Sequence, residues 1–162
     1  MTLTFEFDGV GPRELAEAFD ALPSALNDHL EDAAEDIGVR IASAARENAP
    51  VDRGRLRSSI SHVVENVGET LMQIRVGSNV DQAAPQEFGT DPGHFPPISA
   101  LRGWARRVLG DESAAYPVAR SIAETGLDAQ PFLGPAFREN LEWALDRIND
   151  AVEAAFAEVG LA

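Results

Sequence analysis

A chain of 162 residues with 44% hydrophobic and 25% charged residues has the length and mix of one globular domain rather than of a disordered segment. It holds no cysteine, which excludes disulfides, thiolate metal sites and a cysteine nucleophile. Acids number 27 against 13 bases, for a net charge of −14, which disfavours a non-specific grip on nucleic acid, since that needs a net basic face.

In chain order, Leu3, Phe5 and Phe7 alternate in "TLTFEF" and predict a short N-terminal strand. The same start lacks the basic and apolar run of a secretion signal, and no stretch is apolar enough for a membrane span, so a cytosol-like compartment is expected. "DGVGP" breaks the strand, and Pro12 suits a first helical turn. Leu15, Phe19, Leu22 and Leu26 follow at helical spacing, continued by Leu30, Ala33, Ile37, Ile41 and Ala45. Pro23-Ser24 interrupts this pattern and predicts a kink or two helices, with Ser24 as N-cap of the second. The helix should stop near Asn48, ahead of Pro50.

"NAPVDRGRLRSSI", residues 48–60, concentrates Arg53, Arg55 and Arg57 at a turn built with Pro50, Asp52 and Gly54. Alternation of Leu56, Ser58, Ile60, His62 and Val64 predicts a strand from about residue 55. Met72, Ile74 and Val76 predict its partner, giving a hairpin over about 55–77. Residues 78–97 read as a long loop, with room for a helical turn around 81–88. Ile98, Leu101, Trp104, Ala105 and Val108 restore helical spacing up to Gly110, and "YPVARSIAETG" is a further short helix ended by Gly126. "DAQPFLGPAF" is an extended connector. Phe137, Leu141, Ala144, Ile148, Val152, Phe156 and Val159 then trace one face of a C-terminal helix over about 135–159. The expected fold is a single α+β domain over 1–162, with a small antiparallel sheet of the hairpin and the N-terminal strand packed against long helices.

Catalytic signals are weak. His29, His62 and His94 share no metal-ligand spacing, and no phosphate-binding or dinucleotide glycine pattern occurs. Glu87, Asp91 and His94 are the one set that could gather a divalent ion, as in a small metal-dependent hydrolase. A lone histidine in a Pro/Gly loop favours the structural alternative. Glu31-Asp32 and Glu35-Asp36 fall on the outer face of the first helix and read as a solvated surface. Arg102, Arg106 and Arg107 suit ordinary pairing along a helix face or a partner's acids. For Arg53, Arg55 and Arg57 the local alternative is pairing with Asp52, Glu47 or the acidic helix behind them. The functional one is a joint between subunits, since arginine bonds carboxylates bidentately and is enriched at interfaces.

Every base is arginine and lysine is absent. A GC-rich genome explains the missing lysine but not the acidity. An acidic surface suits a salt-rich cytoplasm, where the Debye length shrinks to about 3 Å at 1 M and self-repulsion is screened.

Three separated segments together resemble one family: "NAPVDRGRLRSSI", "APQEFGT" (84–90), and "ISALRGWARRVLG" followed by "ARSIAETGLDAQPFLGPAF" (98–137). Their order is similar to that in the tail-component family of long-tailed phages, also called head–tail joining, neck or tail-completion proteins. Ala49, Pro50, Val51, Asp52, Gly54, Leu56, Ser59 and Ile60 fit the first motif, Glu87, Phe88, Gly89 and Thr90 the second, and Trp104, Pro131, Phe132 and Leu133 the third. Arg53 departs from the usual threonine, and "DQAAPQ" lacks the aromatic approach to Glu-Phe-Gly-Thr.

The resemblance implies an α+β subunit that forms a ring, commonly sixfold, in the virion neck, without catalysis, cofactor or membrane. Its partners would be itself, the head connector or stopper proteins, and tail terminator or tail tube proteins. Genomic DNA would pass through the lumen unbound, and acidic walls suit such a conduit. With the salt signal, it points to a tailed virus of haloarchaea, assembled in the host cytoplasm. Asp52, Arg53, Arg55, Arg57, Glu87, Phe88, His94, Phe95, Pro131 and Phe132 are the expected subunit or partner contacts. A tail terminator, a morphogenesis factor absent from the particle, and a regulatory binding module are the other readings.

Overall fold

The structure is a computed structural model, and it describes residues 11–68 and 71–161. The predicted strand at Leu3, Phe5 and Phe7 lies outside these residues. The elements are α1 (Pro12–Asn48), α2 (Arg55–Ser59), β1 (Ile60–Gly68), β2 (Leu71–Ser78), α3 (Ala83–Phe88), α4 (Ile98–Val108), a 3-10 turn (Glu112–Ala114), α5 (Ala115–Thr125) and α6 (Leu133–Glu158). The class is α+β, with a two-stranded antiparallel sheet and long helices.

Helix α1 overturns the two-helix alternative at Pro23-Ser24. Pro23 sits inside one continuous helix of 37 residues, and Ser24 is an interior residue rather than an N-cap. Proline removes a single ladder hydrogen bond, and the apolar burial along the rest of the helix outweighs that loss. Glu14 accepts the Gly11 amide at 2.9 Å in the first turn, and Arg46 sits in the last, so both ends oppose the helix dipole.

The chain divides into two compact units. Unit 1 comprises residues 1–39, 63–75 and 141–162, and unit 2 comprises 40–62 and 76–140. In unit 1 most of the buried residues are small: Ala18, Ala25, Ala33 and Ala34 on α1, and Ala144, Ala151 and Ala155 on α6, with Ile37 the larger one. The face proposed from spacing is buried over Ala33 and Ile37 of α1 and at Ala144 of α6, while Leu15, Phe19, Leu141 and Ile148 on the same spacing stay exposed. Polar ties hold the two helix segments of this unit: His29 Nε2 lies 2.8 Å from Glu158 Oε2, and Arg147 Nε donates to Asp36 at 2.9 Å. The outer part of the hairpin belongs here too. Asn66 donates to Asn27 Oδ1 at 2.8 Å, and Arg75 pairs with Glu65.

Unit 2 has the larger buried side chains. Phe132 and Ile60 are its fully enclosed bulky residues, joined by Ile41, Leu56 and a set of alanines on α4, α5 and α6. Asn140 is the buried polar residue of this core. It accepts Arg40 Nε at 2.7 Å and donates to the Ala136 carbonyl at 2.8 Å, so its amide is satisfied at both ends.

The hairpin begins five residues later than expected, at Ile60. Residues 55–59 form the helical turn α2 instead. Gly54 has φ 73°, and its carbonyl takes the Ser58 amide at 2.8 Å. Ser58 and Ser59 hydroxyls then bond back to the Arg55 and Leu56 carbonyls at 3.1 and 2.7 Å, which favours a turn over a strand.

Candidate functional site

The two best motifs lie in unit 2, and each has a definite structural task. In the first, α1 ends at Asn48, with the Ala49 amide still bonded to Ala45 at 3.0 Å. Arg46 reaches forward to the Ile60 carbonyl at 2.7 Å, so the turn is clamped across its base. Leu56 plugs the core beneath. Asp52 is held by Arg107 of α4, whose Nε donates at 3.1 Å and whose Nη2 makes a second, shorter contact. This bidentate pair ties the motif turn to the third motif segment. It was not foreseen, because 55 residues separate the partners.

The three arginines of the turn diverge. Arg57 turns back toward the Ala49 carbonyl at 3.5 Å, a weak contact. Arg53 and Arg55 are exposed and line a groove of about 900 Å³ together with Asp52, Leu101, Trp104 and Ile122. Gly103 opens the groove wall. A Cβ there would lie 3.0 Å from Arg53 Nη2 and 3.3 Å from Arg107 Nη1, so two guanidiniums converge on one glycine.

In the second motif, Glu87 at the end of α3 aims its carboxylate at the start of α6. Its Oε2 accepts the amides of Phe132 at 2.7 Å and Leu133 at 2.8 Å, and Oε1 accepts Gly134 at 2.8 Å. These are the orphan donors of a helix N-terminus, and a carboxylate there also meets the positive end of the helix dipole. Burial on its own raises the Glu87 pKa. The amides of Leu133, Phe132 and Gly134, with the nearby Arg138 charge, outweigh it and hold the group below the ordinary carboxylate range.

Beside this cap, Thr90 and Leu127 form an antiparallel bridge, with amide-to-carbonyl distances of 2.9 and 3.0 Å. Gln86 and Gln130 extend it through a backbone bond at 2.8 Å and a side-chain bond at 2.9 Å. Gly89 and Gly126 flank the bridge with φ of 73° and 81°. A Cβ on Gly126 would fall 2.1 Å from the Thr90 carbonyl oxygen, so only glycine permits this approach. The Glu-Phe-Gly-Thr and Pro-Phe-Leu segments are thus zipped together. Gln86, Gln130 and Gly126 are the site residues that sequence reasoning missed.

The expected contacts sort accordingly. Phe132 is 0% exposed in the core of its own unit, so its place among the partner contacts is corrected: it is a packing residue. Glu87 is occupied by internal donors. Phe88, by contrast, is 80% exposed, and His94 and Pro131 are exposed as well. Phe95 is exposed and stacks at a tilt on Tyr116, with ring centroids 6.3 Å apart. Among the described residues no three His, Asp or Glu side chains form a group that could hold a metal ion, and no helix is long and apolar enough to cross a membrane.

The clamped Asp-x-Gly turn, the hairpin and the Glu-Phe-Gly corner lie in one stretch of chain. Residues 13–89 match the HK97-gp10-like family. The family is described as "Bacteriophage HK97-gp10, putative tail-component". The HK97-gp10-like match ends at Gly89, so it includes the first motif and the second as far as Gly89, and stops short of the α4–α6 segment that docks onto them. No curated protein and no solved structure matches the chain.

Proposed function

We propose that this protein is a non-enzymatic structural component of the head–tail interface of a tailed virus, a neck or tail-completion subunit that assembles into a ring. The carrying observation is the HK97-gp10-like match over residues 13–89, which points to a structural virion protein that contacts other phage head or tail proteins. Ring position, sixfold symmetry and passage of DNA through an acidic lumen are our extension of it. The acidity supports a virus of a salt-rich host.

The exposed surface supports an assembling role. Phe137, Leu141, Leu145 and Ile148 recur on one face of α6 and all remain exposed. An apolar stripe of this kind on a chain with net charge −14 is the mark of a surface that meets another protein.

Two measurements test the proposal. Light scattering with negative-stain imaging, in multimolar salt, should show a closed ring, and six copies of the 17.4 kDa chain would weigh about 104 kDa. Immunogold labelling of purified particles should place the protein at the head–tail junction. Label spread along the tail, or particles without label, sinks the neck assignment.

A further inference from the structure

The net charge is not shared between the two units. By sequence, unit 1 holds 17 acids and 3 arginines, whereas unit 2 holds 10 acids and 10 arginines. All of the −14 therefore belongs to unit 1, and unit 2 is neutral with a local excess of arginine at the groove.

That excess is specific. Asp52 is committed to Arg107, while Arg53 and Arg55 make no ion pair among the described residues. Arg53 and Arg107 crowd against the same glycine, which concentrates positive charge beside the Trp104 wall. Like charges held together in this way favour an anionic visitor, and guanidinium is suited to take carboxylates bidentately.

The same chain carries the complement. Asp28, Glu31 and Asp32 are exposed on α1, spaced by three and four residues and so on one helix face, and none is paired among the described residues. Like charges at this spacing destabilise a helix unless a cation meets them. The exposed acids and the arginine groove are complementary in charge, and a second copy of the chain offers one to the other.

Building on the ring assignment, we propose that the groove of unit 2 receives the Asp28–Asp32 face of α1 from a second copy of the chain. Arg53 and Arg55 pair with the acids, and Leu101 and Trp104 give the apolar floor. The two surfaces are different, so the contact is heterologous. Repeated head to tail, it closes into a ring or runs on as a filament. Salt lowers the mutual repulsion of the acidic subunits more than it weakens pairs in contact, so association is measured at the salt concentration where the wild type assembles.

A charge-swap experiment on the full-length protein decides. Arg53→Glu/Arg55→Glu and Glu31→Arg/Asp32→Arg should each weaken self-association at least tenfold. An equimolar mixture should restore it, because every groove then meets a stripe of opposite charge only when the two variants alternate. Far-UV circular dichroism and a thermal melt establish that each variant is folded, and Arg53→Gln/Arg55→Gln replaces the reversal if that variant unfolds. Full association by either variant alone, or a mixture that fails to reassemble, overturns the pairing while leaving a ring built elsewhere intact. A wild type that stays monomeric at every concentration and yet labels the head–tail junction also overturns it, since the groove then serves another virion protein.

Discussion

The carboxylate of Glu87 accepts the backbone amide of Phe132 at 2.7 Å, joining two residues 45 positions apart. That bond, with those to Leu133 and Gly134, makes a glutamate in one motif the N-terminal cap of the helix that begins the other.

Glu87→Ala is therefore expected to cost about 1–2 kcal/mol of folding stability at neutral pH, the range for loss of a good cap. The effect depends on pH with a defined sign. The folded state lowers the carboxyl pKa below its reference of 4.5, so the stabilisation is complete above that reference and is lost as pH falls through the lowered folded value. Urea unfolding at a series of pH values should show wild type and variant converging in acid. A gap that is constant or widens toward low pH rejects the cap as a charged one.

Gly126→Ala tests the bridge. At φ 81° the added Cβ meets the Thr90 carbonyl at 2.1 Å, so backbone strain and a clash act together. Gly110 is the control, with φ 76° and open space around it. Alanine at Gly110 should cost about 1 kcal/mol from the left-handed conformation alone. At Gly126 the loss should exceed about 2 kcal/mol, because one of the two strands of the bridge must move. Equal losses in denaturant titrations at the two positions would mean that the close approach is not needed.

Pro23→Ala should stabilise the protein. An interior proline costs a helix roughly 3 kcal/mol relative to alanine, and α1 is continuous through Pro23. A gain of about 1–3 kcal/mol in thermal or urea unfolding is expected. A loss would show that the proline bends the helix to a course the fold requires.

Much of the chain was legible because its signals are local. The helix stop before Pro50, the hairpin core with Ile74 and Val76, and the break at Gly126 each follow from a few neighbouring residues. What sequence left open was decided at long range. Helical spacing shows that α6 has an apolar side, but Phe137-Leu141-Ile148 and Ala136-Ala144-Ala151 lie on adjoining columns. The alanine column is the buried one. Small residues let a helix approach its neighbours closely, so they take the contact when the partner is another helix. The structural tasks of two motif residues were hidden for a related reason. Glu87 and Phe132 look like contact residues in isolation, and only their meeting across the chain reveals a cap and a core plug.

The exposed column of α6 gives the last prediction. Leu141 and Leu145 are 58% and 54% exposed, so their side chains contribute little to the fold of the isolated chain. Leu141→Gln/Leu145→Gln should leave unfolding within about 0.5 kcal/mol of wild type, as for most surface substitutions. If this face is covered in the assembled particle, the double variant should form rings poorly or be left out of particles while remaining folded. Sedimentation velocity and particle labelling read the two effects apart. A folded variant that assembles normally would assign the leucines to solvent and leave the charged groove as the surface to pursue. A variant that loses several kcal/mol would instead mean that the column is packed within the chain itself.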